Sequence, residues 1–459
     1  MTAPKAPPPP PPPTAVGVAR PLRVIAICPL AFERRILRRF AKLPTVGAGP
    51  GPDGIRRAFS WRADWPFPQP DLVVLVGTAG ALNARCIPGS DHLVREVCRP
   101  DGSVLVSRVV READARVVES PLIVSTREAK RALGLATKAD LVDLESFAFA
   151  ECAESAGLRW AIVRGVSDGV DDVLPRECAG FINDAGETRL LRVLRAIALR
   201  PRLLVELAQI GRTARRAMRS AAFTTDGLAC VDTIELCNPH HPLLLYGGSF
   251  DPPHARHASM LADAVRALQA PCALVVPAAL NPLKCATPPA PADARIAMCE
   301  ATFKPIEDRV PVEVRISAAE VSRPGPSYTF DTVQQLLTER PALSGSLRML
   351  LGSDALRDIM RWHRWRELLA LVQPAVVVRP PDDHASVTRF LKEFGATQGF
   401  ADAPTWLLSL PPVELASTEI RRAIAAGIRP AGIAEDAWRE ISARGLYGFG
   451  EARERIYTL

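Results

Sequence analysis

The sequence predicts an α/β protein with two domains, and three observations support this class. Its 459 residues exceed one ordinary domain and suggest two or three. Hydrophobic residues make up 48% and charged residues 23%, close to the globular average, which argues against disorder or a coiled coil. Short β-branched runs alternate with amphipathic stretches, which is the pattern of strands joined by helices. We therefore expect two α/β domains, the second built on a mostly parallel sheet.

Composition and periodicity divide the chain into four segments. Residues 1–22 contain seven consecutive prolines and are expected to form a disordered, extended tail, because such a run cannot build a core. The first α/β series occupies 23–200, a basic helical linker 201–241, and the second series 242–459.

The individual elements follow from the local patterns. In the first series, strands are predicted at RVIAIC, DLVVLV and WAIVRG, and helices over 32–42, 145–157 and 187–199. In the second series, strands are predicted near Leu243, Val275, Val314, Leu350, Val377 and Leu408.

Charge and cysteine usage exclude several classes. The net charge of +7 is a mild bias over 459 residues, and no nucleic-acid partner is expected. The ten cysteines form no C-x-x-C pattern, so we expect reduced thiols in the cytoplasm and no metal site. Since no apolar run approaches the ~20 residues that span a bilayer, no membrane partner is expected. A homo-oligomer is compatible with the sequence, which does not set the oligomeric state.

The most informative stretch joins an apolar strand to a helix. Gly247 and Gly248 follow the strand at Leu243 and allow the backbone to turn and approach a ligand. The start of the following helix offers unpaired N–H groups and a positive dipole, which together favour an anion. His254 and His257 are three residues apart, so on a helix they share one face and can both reach a phosphate. Taken alone, the histidine pair is equally compatible with chance or with half of a structural metal site.

The whole string GGSFDPPHARH resembles the nucleotidyltransferase superfamily signature G-x-F-D-P-x-H-x-G-H. It departs at Arg256, where the signature has its last glycine. Five later segments resemble nicotinate-nucleotide adenylyltransferases over about 242–448: PSYT, LGSDAL, WHRW, VRP and STEIR. The resemblance implies that ATP, with magnesium on its phosphates, reacts with nicotinate mononucleotide to give deamido-NAD and pyrophosphate, without a covalent enzyme intermediate.

The same resemblance implies the site residues of this second domain. Catalysis would use His254, His257 and Arg421 for positioning and charge stabilisation. Without the resemblance, Ser417 and Thr418 would be interpreted as ordinary helix caps, and Trp362 and Trp365 as core residues. ATP would be bound by Gly247, Gly248, Ser249, Phe250, Lys284, Ser417 and Thr418, and nicotinate mononucleotide by Asp251, Tyr328, Thr329, Asp354, Trp362 and Arg379.

The first domain resembles the nucleoside phosphorylase and nucleosidase superfamily over about 23–200. The resemblance rests on a strand entering Gly-Thr-Ala-Gly, on Asp143-Leu-Glu145 and on a strand ending Ser167-Asp168. It implies that Asp168, oriented by Ser167, protonates a purine and needs burial or a negative neighbour to hold its proton. It further implies that Glu33 activates water and that Glu145 grips the ribose, with Thr78 and Gly80 also at the nucleoside.

Two alternatives stay open. Cys28-Pro29 replaces a glycine phosphate loop, which favours hydrolysis over phosphorolysis. Alternatively, Glu33 and Asp143 are surface carboxylates and the first half only binds a nucleotide or a partner, leaving a single-activity transferase. A third class, an RNA-binding protein, lacks a basic patch with interleaved aromatics.

Overall fold

The computed structural model consists of two compact α/β units, which confirms the predicted class. The N-terminal unit is Pro21–Leu236, and the C-terminal unit is Cys237–Leu459 together with the segment up to Arg20. The described residues are 16–17, 19–67, 69–109, 113–280, 289–323, 325–411 and 417–449.

The strands of the N-terminal unit form a mixed sheet with a closed centre. β3 pairs with β7 and β8, and β4 pairs with β6 and β8, while β6 and β7 pair with each other, so five strands close a ring. β1 and β2 extend the sheet beside β3, and β5 lies beside β4. The strands are β1 (Val24–Cys28), β2 (Thr45–Gly47), β3 (Leu72–Ala81), β4 (Asp91–Cys98), β5 (Val104–Val106), β6 (Ala115–Glu119), β7 (Leu141–Asp143) and β8 (Trp160–Asp168).

Six α-helices are described in this unit, and the last of them overturns the predicted linker. α6 packs on the sheet so closely that a Cβ on Gly165 of β8 would lie 2.8 Å from the Ala217 carbonyl carbon. Its small residues allow this approach and join the core, so α6 belongs to the N-terminal unit rather than to a linker. The helices are α1 (Ala31–Phe40), α2 (Gly51–Ser60), α3 (Arg127–Thr137), α4 (Ser146–Ser155), α5 (Leu190–Leu199) and α6 (Leu203–Ala229).

The C-terminal unit contains a five-stranded sheet in which every pairing is parallel, as predicted. The order is β11-β10-β9-β12-β13. From β9 the chain adds strands outward on one side and then returns to add β12 and β13 on the other side, so the strand order reverses between β9 and β12. Ligands of such folds bind at this point, beyond the carboxyl ends of the strands. The strands are β9 (Leu243–Gly248), β10 (Cys272–Pro277), β11 (Glu313–Ile316), β12 (Leu347–Gly352) and β13 (Gln373–Val377). The helices are α7 (Ala255–Leu268), α8 (Ala292–Phe303), α9 (Thr329–Glu339), α10 (Ser353–Arg357), α11 (Trp365–Leu371), α12 (His384–Gln398), α13 (Ser417–Ala425) and α14 (Glu435–Ala443).

One predicted strand of the second series is wrong. The run near Leu408 forms a short 3₁₀ turn, Ala403–Trp406, followed by a single bridge between Leu407 and Val376. The Trp406 indole is buried and donates to Asp402, which holds the chain in the turn instead of alongside β13.

The end of the proline-rich tail belongs to the C-terminal unit. The Arg20 amide donates to Glu313 Oε1 at 2.7 Å, and its Nε contacts Glu307 Oε2 at 2.7 Å. Val16 is buried and Gly17 lies against Ile316, so residues 16–17 and 19–20 are fixed beside β11 and are not disordered. Residues 1–15, with the proline run, lie outside the described residues.

Candidate active sites

The loop after β9 positions the first group of predicted residues. Phe250 adopts φ 44°, so the left-handed residue of the turn is Phe250 and not a glycine. Its ring packs on Tyr246, Phe303 and His257, with centroids 5.2 to 5.4 Å apart. Gly248 is required because a Cβ there would lie 2.9 Å from the Phe250 ring, whereas a Cβ on Gly247 would meet open space. The open space of this turn therefore lies beside Gly247 and not beside Gly248.

The two histidines are stacked on each other. The helix begins at Ala255, so His254 lies just before it as the extended N-cap residue with φ −153°. The rings of His254 and His257 nevertheless lie parallel, with centroids 3.8 Å apart and planes inclined by 14°. The first helical amide, of Ala255, donates to the Gly432 carbonyl at 2.7 Å, so it is not available to an anion.

His254 is shielded from solvent and surrounded by positive charge. It is 1% exposed, and burial lowers the pKa of its imidazole from 6.5 to about 4, with smaller contributions from Arg379 and Arg256. The imidazole is therefore neutral at pH 7 and can donate one N–H. An anion bound beside it would meet two guanidinium groups as well.

Arg421 lies at the same edge as the histidines. Its Nη1 donates to the Asp251 carbonyl oxygen at 2.8 Å, which leaves other guanidinium N–H groups for a phosphate. The Asp251 carboxylate accepts hydrogen bonds from the Tyr447 hydroxyl at 2.7 Å and the Ala290 amide at 3.2 Å. Asp251 therefore ties three segments to the β9 loop through its carbonyl oxygen and its Oδ1.

Asp354 and Arg379 form an ion pair at the ends of β12 and β13. The two side chains are 2.8 Å apart, and both charges act on the buried Tyr246. The Ser353 hydroxyl bonds to the backbone of Arg379 and fixes the pair, while a Cβ on Gly352 would lie 2.3 Å from the Arg379 side chain. The structure thus brings Arg379 to the histidines across the point where the strand order reverses.

The aromatic residues predicted to hold a pyridine ring have different surroundings. Tyr328, the residue before α9, packs against His363 with centroids 4.4 Å apart and ring planes inclined by 34°, and Thr329 is the first residue of the helix. Trp365 is half-buried and packs on Phe394, with ring centroids 6.0 Å apart. Trp362 is half-buried and remains available for stacking. Lys284 and the side chains of Ser417 and Thr418 lie outside the described residues.

The N-terminal unit contains a buried charged cluster around Arg164 of β8. Its Nη2 lies 2.5 Å from the Asp143 carboxylate and 2.7 Å from Glu145, and none of the three side chains is exposed by more than 7%. Burial raises the pKa of Glu145, and the charge of Arg164 acts in the opposite direction. The second carboxylate oxygen of Glu145 accepts a hydrogen bond from the Gly51 amide. Glu145 is therefore held by the protein on both oxygens, and its predicted contact with a ribose stays a prediction.

Glu33 belongs to the same cluster. It is 1% exposed and accepts hydrogen bonds from the Thr78 amide and hydroxyl, at 2.8 and 2.9 Å, and from the Leu30 amide. Burial raises the pKa of its carboxyl, with Arg164 acting in the opposite direction. The alternative in which Glu33 and Asp143 are surface carboxylates is therefore wrong, since both are buried.

Asp168 lies at the end of β8 and is paired with a lysine that the sequence analysis overlooked. Lys130 Nζ is 2.5 Å from Asp168 Oδ2 and also donates to the carbonyls of Gly169 and Asp172. The Ser167 hydroxyl lies 2.5 Å from Oδ1, as expected of an orienting residue. Asp168 is 4% exposed, so of the two predicted conditions the structure shows burial, whereas its charged neighbour is an ammonium group and not a negative one. Gly80 gives the carboxylate room, because a Cβ there would lie 3.0 Å from Oδ2.

Replacing Arg164 with methionine should destabilise the N-terminal unit by about 3 kcal/mol. The change removes the cation from between two buried carboxylates, and breaking a buried ion pair from one side costs about 3–5 kcal/mol. Urea unfolding followed by tryptophan fluorescence measures the effect, with the exposed Arg35→Met as matched control. Equal unfolding midpoints for the two variants would contradict it.

A family model described as cytidylyltransferase-like matches residues 245–423, within the C-terminal unit. A protein of Gemmatimonas aurantiaca named "probable nicotinate-nucleotide adenylyltransferase" is 33% identical over 204 residues, covering 44% of this chain and 90% of that protein. A protein of the same name from Chlorobium phaeobacteroides is 34% identical over 206 residues, covering 45% of this chain and 98% of that protein. The chain belongs to the nicotinate-nucleotide adenylyltransferase family. It is a nucleotidyltransferase, and the C-terminal unit is its adenylyltransferase domain.

Solved nucleosidases are similar to this chain at a lower level. The 5′-methylthioadenosine nucleosidase of Arabidopsis thaliana has 14% identity and a TM-score of 0.33, covering 46% of this chain and 97% of its own. The futalosine hydrolase of Helicobacter pylori has 13% identity and a TM-score of 0.33, covering 46% and 99%. Similarity at this level decides nothing about chemistry.

The sequence analysis missed a buried arginine that organises the adenylyltransferase site. Arg295 of α8 donates to the Ser249 carbonyl at 3.0 Å, to the Ala290 carbonyl at 2.9 Å and to the Ala278 carbonyl at 2.5 Å. It joins the loops after β9 and β10, from which the predicted ATP residues come. The available signal was an arginine beside the apolar residues of α8. A charged residue is buried only when it has partners, so an arginine at a core-facing position predicts nearby acceptors.

The pKa of His254 in the adenylyltransferase domain is directly measurable. With ¹³C-labelled histidine, one ring resonance, assigned through His254→Gln, should titrate near pH 4 to 5 instead of near 6.5. Because the unfolded chain takes up this proton first, the folded state should lose stability as pH falls from 6.5 toward 4, by about 3 kcal/mol in total. A resonance titrating at 6.5 would contradict the burial of this ring.

Proposed function

We propose that the adenylyltransferase domain transfers the adenylyl group of ATP to nicotinate mononucleotide, forming deamido-NAD and pyrophosphate. The observation that carries the proposal is the stacked His254–His257 pair, with Arg421 and Arg379 at the same edge of a parallel sheet. An edge with two imidazoles and two guanidinium groups suits a reaction between phosphates, in which negative charge is spread over several oxygens.

The reaction needs positioning and charge stabilisation rather than a protein nucleophile. A phosphate oxygen of the mononucleotide attacks the α-phosphorus of ATP, a new P–O bond forms, and the bond to the β-phosphate oxygen breaks in line. Neutral His254 donates an N–H to an oxygen of the reacting phosphoryl group. Arg421 and Arg379 offset the charge of the phosphates on either side.

Magnesium enters this proposal as part of the substrate MgATP. Within the described ranges, no group of three His, Cys, Asp or Glu side chains could hold a metal ion. The oxygens of the leaving phosphates supply ligands of the kind that Mg²⁺ prefers, and the ion offsets the charge of pyrophosphate.

Pyrophosphate release tests the proposal. The purified full chain is incubated with MgATP and either nicotinate mononucleotide or nicotinamide mononucleotide. We expect pyrophosphate and deamido-NAD in equal amounts with the nicotinate compound and at least tenfold slower release with the nicotinamide compound. Equal rates would overturn the choice of pyridine ring, and release with neither would overturn the proposed reaction.

We propose a second reaction for the N-terminal unit, the hydrolysis of the N-glycosidic bond of a purine nucleoside. The supporting observation is that Glu33 and Asp168 are both buried beside the end of β3, at Thr78 and Gly80. These two positions lie on one face of the strand, about 7 Å apart, which is the span of a sugar and its glycosidic bond.

In this proposal the two carboxylates act on opposite ends of the bond. Glu33 accepts a proton from water while the water oxygen forms a bond to the sugar carbon. Asp168 passes a proton from the Lys130 ammonium to the purine as the carbon–nitrogen bond breaks, so the base leaves neutral. The rival is a unit that only binds a nucleotide or a partner. Both reactions are proposed to occur in the cytoplasm, where ATP is available.

A further inference from the structure

Helix α5 exposes an apolar surface that the described part of the protein leaves uncovered. Eight of its ten residues are Leu, Val, Ile or Ala, yet none of the ten is buried. Leu191 is 83% exposed and Leu199 79% exposed. A ten-residue helix gains most of its stability from packing its apolar side, so an uncovered apolar helix indicates a missing partner.

The surface continues onto the start of α6. Leu204 and Val205 are more than half exposed, while the neighbouring Leu203 is buried and anchors the turn between the helices. Six large side chains therefore form the surface, which we call the α5 surface: Leu190, Leu191, Leu194, Leu199, Leu204 and Val205.

Arginines accompany these apolar side chains. Residues 189–219 contain nine arginines and a single acidic residue, Glu206. The net charge of this segment, nine minus one or +8, exceeds the net charge of the whole chain, +7. On α5, Arg192 and Arg195 are exposed; at helical spacing they lie away from Leu190 and Leu194 and next to Leu191 and Leu199. The overall charge conceals this concentration, because the rest of the chain is nearly neutral.

We propose that the α5 surface binds an anionic phospholipid membrane, with α5 lying in the plane of the interface. A helix whose exposed leucines have arginines next to them can insert the leucines among acyl chains, while the long arginine side chains reach out to lipid phosphates. A second copy of the chain would cover the leucines, but a symmetric contact would set the arginines of both copies against each other. A nucleic acid would match the arginines and leave the leucines in water.

The binding is peripheral. No described helix is long and apolar enough to cross a membrane, and α5 is about 15 Å long, which suits an interfacial helix. The expectation of no membrane partner rested on the lack of a spanning segment, which does not bear on surface binding.

Vesicle flotation of the full chain tests the proposal. The probes are vesicles of phosphatidylcholine alone and of phosphatidylcholine with 30% phosphatidylglycerol. We expect binding to the anionic vesicles, at least tenfold weaker binding to the neutral ones, and loss of binding between 50 and 500 mM NaCl. The variant Leu191→Glu/Leu194→Glu should reduce the partition coefficient at least tenfold, and Arg192→Glu/Arg195→Glu should do so as well.

Matched controls separate the α5 surface from general effects of charge. Leu135→Glu changes an equally exposed leucine on α3, and Arg361→Glu/Arg439→Glu makes the same charge change in the C-terminal unit. Both should bind like the wild type, and pyrophosphate release should be unchanged in all variants. The proposal is overturned by no binding to anionic vesicles, by equal binding of the α5 variants, or by light scattering showing a dimer that the leucine variant dissociates.

Discussion

Replacing His254 with alanine should lower the kcat of pyrophosphate release about 10²–10³-fold while the protein stays folded. The neutral imidazole donates to an oxygen whose negative charge grows as the reaction proceeds, and removing one such donor costs this much in other enzymes. KM for ATP should change little, because Arg421 and Arg379 still face the phosphates. Steady-state kinetics at pH 7.5 with saturating MgATP and nicotinate mononucleotide measures the effect.

Two further variants keep this expectation open to contradiction. His240→Ala removes an exposed histidine of the same unit and should leave kcat unchanged. His254→Asn retains a neutral N–H donor in a smaller side chain and should recover part of the lost rate. A His254→Ala enzyme with normal kcat and an unchanged melting temperature would assign this ring a packing role only.

The architecture of the adenylyltransferase domain was predictable because its strands are nearly pure apolar runs. Sequences such as Leu243-Leu-Leu-Tyr and Ala273-Leu-Val-Val are buried on both faces, which is typical of parallel strands covered by helices. The residues at the strand ends were also predictable, since carboxyl ends of parallel strands meet at one edge. What failed was the run near Leu408, because composition does not show whether an apolar run has a neighbour to pair with.

The cations that organise both sites were not predictable from the sequence. Lys130, Arg164 and Arg295 lie within helices or strands whose patterns read as ordinary surface or core positions. Each is buried, and each contacts groups that are distant in sequence, such as Lys130 with Asp168 and Arg295 with Ser249. Only the tertiary fold brings these partners together. The stacking of the two histidines across the first residue of α7 likewise depended on where the helix begins.

Replacing Asp168 with asparagine should reduce base release from a purine nucleoside about 10²–10⁴-fold. Asparagine keeps the shape of the side chain but cannot pass a proton to the leaving purine, and general acid catalysis contributes about this factor. The change also removes the carboxylate partner of the buried Lys130, so the N-terminal unit should lose stability even though Lys130 still donates to the carbonyls of Gly169 and Asp172. The unfolding midpoint is therefore measured alongside the rate, at a temperature where the variant is folded. Release of adenine from adenosine or 5′-methylthioadenosine, followed by chromatography, measures the rate.

The adenylyltransferase domain of the same chain provides an internal control for this experiment. Asp168→Asn should leave pyrophosphate release unchanged, so a loss of both activities would report unfolding rather than chemistry. Asp171→Asn, an exposed carboxylate three residues away, should affect neither reaction. Lys130→Met should also slow base release if the ammonium supplies the proton, whereas a fast Lys130→Met enzyme would leave Asp168 as the proton source. If the wild type releases no base from either nucleoside at any pH between 5 and 9, the N-terminal unit is a binding module, and the buried cations serve its stability alone.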